Sequence, residues 1–393
     1  MSFMIDRTIE PVLTSLAGKY PVVTITGPRQ SGKTTLCRKV FPAMPYVNLE
    51  GPDTRQYAND DPRGFLARYT EGVILDEIQR APQLLSYIQT IVDEKKRPGL
   101  FILTGSQQFE VLNTISQSLA GRTALLKLLP LSIREIPDVK GISSIDSLIL
   151  TGFYPRIYDQ KLNPTQVLCD YLATYVERDI RQLSAIKDLS LFEKFVKLCA
   201  GRTGQILNMH NLASDVGVSH TTIRAWISLL EASYVIFLLP PWFRNISKRL
   251  VKSPKLYFYD VGLASYLLGL ENELHVSRDP LRGNLFENLA VIEVLKYRFN
   301  LGRHSNLSFY RDSSGNEVDL IIEVGPDVFP IEIKAGATIT RDAIKGLKRF
   351  ATIFPRLPMG GGLIYGGNET QTRQDVRIYP VTGIHEMLAS VGC

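Results

Sequence analysis

Nine consecutive residues, Gly27-Pro-Arg-Gln-Ser-Gly-Lys-Thr-Thr35, combine two glycines, a lysine and hydroxyls at a spacing suited to holding a phosphate chain. Glycine lets the backbone curl until successive N–H groups face one anion. The positive end of a helix beginning near Lys33 adds to that attraction. In this Gly-x4-Gly-Lys-Thr (Walker A) pattern Lys33 reaches the β- and γ-phosphates and the Thr34 hydroxyl holds Mg²⁺. Gly27, Pro28, Arg29, Gln30, Ser31, Gly32, Lys33, Thr34 and Thr35 are therefore expected to line a nucleoside triphosphate, with ATP and Mg²⁺ as the cofactors. A Gly-rich turn with a surface lysine has the same composition. The β-branched run Val22 to Thr26, however, supplies the strand that the pattern requires.

Two acids follow an apolar run in Gly72-Val-Ile-Leu-Asp76-Glu77, the Walker B pattern. At the end of a parallel strand beside the phosphate loop, Asp76 would hold Mg²⁺ and Glu77 would orient or activate the attacking water. Taken alone, the pair also describes a strand end meeting solvent. Leu100-Phe-Ile-Leu-Thr-Gly-Ser106 is another buried run, and Ser106 at its end is placed to contact the γ-phosphate or the water. An ordinary helix N-cap explains that serine equally well.

A second constellation lies late in the chain. Asn316 to Val324 and Val328 to Lys334 read as antiparallel strands around a Gly325-Pro-Asp327 turn. Asp319, followed thirteen residues later by Glu332-Ile-Lys334, fits the PD-(D/E)xK nuclease signature. Glu332 and Lys334 are two apart and so share one strand face. Asp319 and Glu332 would hold Mg²⁺, and Lys334 would position the water and stabilise negative charge. Glu287, on an amphipathic helix from Asn284 to Phe299, would add a third carboxylate to the metal. A solvated strand face pairing Lys334 with Glu332 is the plainer reading. A nuclease fold kept as a DNA-binding or assembly platform without cleavage is a third.

Strands alternating with helices from 20 to 130 give a parallel sheet with helices on both faces and the nucleotide at the carboxyl ends of the strands. Tyr46 to Glu50 reads as one strand, residues 53–69 as polar and helical or irregular, and Pro82 to Glu94 as a helix. From 131 to 200 the pattern is helical, as in Leu168 to Leu183 and Leu189 to Ala200. Residues 205–245 read as a winged helix, whose second helix runs from His220 to Ala232 with Ile223, Ile227 and Leu230 inward. Ser219, His220, Thr221, Thr222 and Arg224 would then face DNA, with Arg244, Lys248, Arg249, Lys252 and Lys255 tracking its phosphates. A lid or packing module is the alternative. A helix near 341–354 and a Leu363-Ile-Tyr365 strand would complete the last core.

The four motifs Gly27 to Thr35, Leu75-Asp-Glu-Ile-Gln-Arg80, Leu103-Thr-Gly-Ser106 and Ser118-Leu-Ala-Gly-Arg122 together resemble an AAA-type P-loop ATPase family of bacteria and archaea. In that family the ATPase is fused to a C-terminal uncharacterised domain with a nuclease-like core, and the likeness covers nearly the whole chain. The resemblance implies that Arg122 is an arginine finger completing a neighbour's site, which requires a homo-oligomer; a structural arginine after Gly121 is the alternative. It also implies that Pro155, in Gly152-Phe-Tyr-Pro155, touches the adenine. The expected fold class is α/β: a P-loop NTPase parallel sheet (1–130), a helical lid (131–204), a winged helix (205–260) and a restriction-endonuclease-like domain (261–393).

The chain's 393 residues exceed one ordinary core. The net charge of +6 permits an acidic partner such as DNA. Its four cysteines, Cys37, Cys169, Cys199 and Cys393, are scattered, which argues against a disulfide framework or zinc site and suits a reducing cytoplasm. The start of the chain lacks a signal-peptide core, and the most apolar stretch, Tyr234 to Leu239, is too short to span a membrane. The expected function is that of an ATP-hydrolysing AAA-type ATPase coupled to a DNA-directed, nuclease-like C-terminal domain, with Mg²⁺-dependent deoxyribonuclease activity an open question. The alternative is a non-nucleolytic nucleotide switch whose C-terminal domain binds DNA or protein partners.

Overall fold

The computed structural model describes residues 5–106, 118–137, 144–176, 186, 188–242, 253–312, 314–355, 360–373 and 376–392. Strands β1 (Val22–Thr26), β2 (Tyr46–Asn48), β3 (Val73–Asp76), β4 (Phe101–Gly105) and β5 (Thr123–Lys127) form a parallel sheet in the order β2-β3-β4-β1-β5. The inner strands β1, β3 and β4 are buried at every position. A strand covered on both faces reads as an unbroken apolar or β-branched run, and these three do. Edge strand β5 alternates in burial and holds a single β-branched residue, so the sequence does not announce it.

Helices α1 (Glu10–Ala17), α2 (Lys33–Val40), α3 (Pro52–Asp60), α4 (Pro62–Ala67) and α5 (Leu84–Lys95) cover this sheet. Adjacent β1 residues point to different cores: Val22 packs with Phe65, Leu75 and Ile88, whereas Val23 packs with Leu13, Leu36 and Ile74. The stretch 53–69 resolves into two helices because a proline opens each, and Asp61 caps the second by accepting from Gly64 N at 2.9 Å.

Next come α6 (Ile145–Thr151), α7 (Pro155–Asp159), α8 (Pro164–Tyr171), α9 (Leu189–Ala200), α10 (Met209–Val216) and α11 (His220–Ala232). Gly217 ends α10 at φ +92°, and Ser219 caps α11 by accepting from Thr222 N at 3.1 Å. Ile223, Ile227 and Leu230 are buried, joined by Trp226. Strands β6 (Gln205–Ile206), β7 (Ile236–Leu239) and β8 (Lys255–Phe258) form an antiparallel sheet beside them in the order β6-β8-β7. Arg244, Lys248, Arg249 and Lys252 lie outside the described residues, as does the end of the expected 168–183 helix.

The last portion contains α12 (Val261–Leu267), α13 (Glu273–Arg278), α14 (Arg282–Asn300), β9 (Leu307–Arg311), β10 (Glu317–Val324) and β11 (Asp327–Lys334). It continues with α15 (Lys345–Ile353), β12 (Gly361–Tyr365), β13 (Gln371–Arg373), β14 (Val376–Pro380) and α16 (Ile384–Ser390). The six strands make a mixed sheet, β13-β14-β12-β11-β10-β9, with the expected β10–β11 hairpin at its heart.

Helix α14 departs from expectation. It is not amphipathic: every residue from Asn288 to Lys296 is buried. The reason is its place inside one core running from Leu129 to Val391, which joins the helical region to both later sheets. Its polar residues therefore have internal partners. Asn288 accepts from Thr203 Oγ1 and Phe258 N at 2.8 and 2.7 Å, and Lys296 Nζ donates to Leu131 O at 2.7 Å.

Candidate functional sites

The phosphate-type loop joins β1 to α2. Gly27 has φ +151°, and a Cβ there would lie 2.1 Å from Leu128 O, so only glycine fits. Gln30 and Gly32 also take positive φ, 59° and 93°, which curls the loop. Lys33 Nζ donates to Gly27 O and Pro28 O at 2.9 and 2.7 Å. Burial pushes its ammonium down to about 8, against the upward pull of Glu77 and Asp76. Ser31 Oγ and Gln30 Oε1 are buried without a hydrogen-bond partner among the described residues.

The two acids converge on this loop. Asp76 Oδ2 accepts from Thr34 Oγ1 at 2.8 Å and from Tyr46 OH at 2.7 Å, and Oδ1 accepts from Thr104. Glu77 stands in the left-handed region at φ +58°. Its Oε2 accepts from Ser106 Oγ at 3.1 Å and from Gln79 Nε2. Thus Lys33, Thr34, Asp76, Glu77 and Ser106 are brought together as expected, and Tyr46, Thr104 and Gln79 are additions. Arg7 is a further addition. Its two terminal nitrogens donate to Ser31 O and Leu129 O, both at 2.7 Å, and it pairs with Glu135 at 3.2 Å. No motif marks Arg7 or Tyr46, and Thr104 lies within the Leu103–Ser106 motif without being singled out, because each acts only through the folded sheet.

A cavity of about 460 Å³ opens over the loop. Arg29, Gln30, Gly32, Lys33, Thr34, Thr35 and Glu77 line it together with Leu131, Pro155 and Arg156. The volume suits a small-molecule ligand. Pro155 Cγ lies 4.0 Å from the place a Cβ on Gly32 would occupy. Arg122 sits at the opposite, amino-terminal end of the sheet, where its carbonyl accepts from Val22 N. There its guanidinium pairs with Asp93 at 2.6 and 2.8 Å.

The hairpin β10–β11 gathers Asp319, Glu332 and Lys334. Lys334 Nζ lies 2.6 Å from Glu332 Oε2 and 3.1 Å from Asp319 Oδ2, and Asp319 also accepts from Ile333 N at 2.8 Å. The register of β10 against β9 shifts between Val318 and Ile321, the stretch that holds Asp319. Burial, reinforced by Asp319, pushes the Glu332 carboxyl up to about 8. For Lys334, burial alone would lower the pKa, but Asp319 and Glu332 outweigh it and hold the ammonium above its usual range. Gly346 lets α15 close over this group, since a Cβ there would lie 2.0 Å from Glu332 Oε1.

Two expectations fail here for one reason. Lys255 does not track a phosphate backbone; it is buried, 2.9 Å from Glu287 Oε1 and 2.7 Å from Glu317 Oε1. Glu287 does not join a metal shell with Asp319 and Glu332, because Lys255 and Tyr257 OH, the latter at 2.6 Å, already take its Oε1. Among the described residues no group of three or more His, Cys, Asp or Glu side chains is disposed to hold a metal ion. The hairpin thus offers two carboxylates, Asp319 and Glu332, without the expected third.

Models of known families match three stretches of the chain. Residues 19–137 match an AAA domain, 142–274 a domain of unknown function (DUF8612), and 282–384 another (DUF4143). An uncharacterized protein of Mycobacterium tuberculosis is 32% identical over 361 residues, spanning 88% of this chain and 80% of that protein. The chain belongs to that protein's family. An uncharacterized protein of Haemophilus influenzae is 21% identical over 249 residues, 59% of this chain and 58% of its own. Among solved structures, a Walker-type ATPase of Pyrococcus abyssi is 14% identical, covering 67% of this chain and 96% of its own at a TM-score of 0.44. The first third of this family member is an AAA-type domain. No helix among the described residues is long and apolar enough to cross a membrane.

Proposed function

We propose that the protein binds and hydrolyses ATP at the loop of residues 27–35, and that this cycle controls a DNA-directed C-terminal domain. The observation that carries the first part is the convergence of Lys33, Thr34 and Glu77 on one cavity, with Asp76 bonded to the Thr34 hydroxyl behind them. Lys33 would exchange its two loop carbonyls for phosphate oxygens. The Thr34 hydroxyl and the Asp76 carboxylate, oxygen donors in mutual contact, fit Mg²⁺ and would hold it. When bound, Mg²⁺ neutralises charge on the β- and γ-phosphates. Glu77 orients and deprotonates the water, while Ser106 and Gln79 hold its carboxylate in place. Pro155 lines the cavity from the following helix, and Arg122 is free of its own subunit's loop to serve a neighbour's in a homo-oligomer. Phosphate release from Mg·ATP tests this: wild type turns over, Glu77→Gln binds without turnover, and Lys33→Ala does neither.

For the C-terminal domain, the grouping of Asp319, Glu332 and Lys334 supports a nuclease-like reading. The lysine lodged between Glu287 and Glu317 supports the other reading, a non-cleaving platform that binds DNA or protein as nucleotide state changes. Single-stranded, duplex and branched DNA with Mg²⁺ or Mn²⁺ separates them. Scission abolished by Asp319→Ala establishes the nuclease. Nucleotide-dependent assembly or binding without scission establishes the platform.

A further inference from the structure

Five non-glycine residues among those described hold a positive φ: Gln30, Glu77, Lys96, Lys161 and Tyr234. Gln30 and Glu77 line the cavity over the phosphate loop, and Lys96 and Lys161 are exposed. Tyr234 differs, being 1% exposed at φ +56°. It is the left-handed residue that closes α11. Its N–H reaches Glu231 O at 3.1 Å, and Val235 N reaches Leu230 O at 2.9 Å, the pair of bonds that ends many helices. Glycine is the usual occupant of that position, because a Cβ makes the conformation unfavourable. What a tyrosine adds there is reach.

The phenol crosses to the sheet of the AAA-type domain. Its OH lies 2.8 Å from Thr26 Oγ1, with both residues buried. Thr26 ends β1 and directly precedes Gly27. Thr26 O accepts from Leu128 N at 2.8 Å, and Leu128 O closes off the space beside Gly27. A shift at Gly27 therefore has little room to die out before it reaches Thr26. Nucleotide entry supplies such a shift, because Lys33 now holds Gly27 O and would release it to meet phosphate. On the other side, the Tyr234 ring packs on Tyr259, with centroids 5.5 Å apart, and β7 begins at Ile236. Glu231 and Lys127 act across the same contact: burial raises the carboxyl and lowers the ammonium, and each charge partly offsets the other's shift. Helix α11 is thus docked by its C-terminal end on the strand that feeds the phosphate loop, while Thr221, Arg224 and Ser228 stay exposed.

We propose that Tyr234 is a positioning residue that couples nucleotide occupancy of the 27–35 loop to the placement of α11 and β7; the assignment rests on the ATP reading above. Such coupling is reciprocal, so a partner bound to the exposed face of α11 changes nucleotide affinity by the same factor. Hydrogen exchange of the full chain, with and without a non-hydrolysable ATP analogue and Mg²⁺, tests it in wild type, Tyr234→Phe, Thr26→Val and Thr26→Ser. In wild type the analogue slows exchange in the loop and changes it by about fivefold or more in α11 and β7, the low end of coupling between sites. Tyr234→Phe and Thr26→Val keep the loop response and lose the response in α11 and β7. Thr26→Ser, which retains the hydroxyl, keeps both. A bond that only props the fold gives another pattern: exchange in α11 rises equally with and without nucleotide, and the difference between the two states survives. That pattern, or a wild-type loop response with none in α11 and β7, overturns the role of Tyr234 while leaving the ATP site standing. Wild-type protein with no loop response overturns both.

Discussion

Lys33 is a buried cation whose present partners are two carbonyls of its own loop. Removing it deletes both the charge proposed to meet the phosphates and a prop of the loop. Lys33→Ala is expected to lose nucleotide binding in a fluorescence titration while keeping its fold. Glu77→Gln keeps the shape of the acid but not its basicity. Its turnover should drop by about 100-fold or more, the usual reach of a general base, with affinity unchanged. Turnover equal to wild type removes Glu77 from its role. These residues were legible in the sequence because local spacing alone fixes how a loop and a strand end present them. Tyr46 and Thr104 were not, since they reach Asp76 only through the register of β2 and β4 beside β3. Lys255 and Glu287 were misread for the same cause: thirty-two residues separate a pair that the fold puts 2.9 Å apart.

At the scale of elements, the seam where α6 ends and α12 begins positions the turn of Pro155 and Arg156. A Cβ on Gly262 would lie 2.6, 2.7 and 2.9 Å from backbone atoms of Gly152 and Thr151, which cannot move aside singly. Gly262→Ala should therefore destabilise by about 1–3 kcal/mol in urea unfolding, as overpacking does. Gly283, at the start of α14, has nothing within 4 Å of an added Cβ. Gly283→Ala is expected to be neutral or stabilising by up to about 1 kcal/mol, since alanine favours helix. Equal losses in both variants would contradict the seam. Strands covered on both faces were readable from their apolar runs; edge strand β5 was not, because half-exposed positions dilute the pattern. Helix α14 was found but assigned the wrong surroundings. Its Asn288, Glu293 and Lys296 look solvent-facing in sequence and gain partners only from residues far along the chain.

For the molecule as a whole, α14 is the shared axle. Glu293 Oε1 accepts from Ile133 N and meets His385 Nε2, both at 2.9 Å, while Lys296 holds the carbonyl of Leu131, a wall of the phosphate-loop cavity. Breaking one member of a buried charged network costs about 3–5 kcal/mol, so Lys296→Met should lower the unfolding midpoint sharply. Because one core runs from Leu129 to Val391, hydrogen exchange in that variant should rise in the α10–α11 region and in the C-terminal sheet together. Exchange confined to one region would show that the core is divided. That unity was hidden from sequence reading, which sees composition and turns but not which helix every later segment packs on. The central claim nevertheless rests on the loop. Calorimetric titration of Mg·ATP into the full chain is its most direct test: saturable heat at one site per chain in wild type, absent in Lys33→Ala, is the expected result. No binding heat in folded wild-type protein, or the same heat in both proteins, would contradict it.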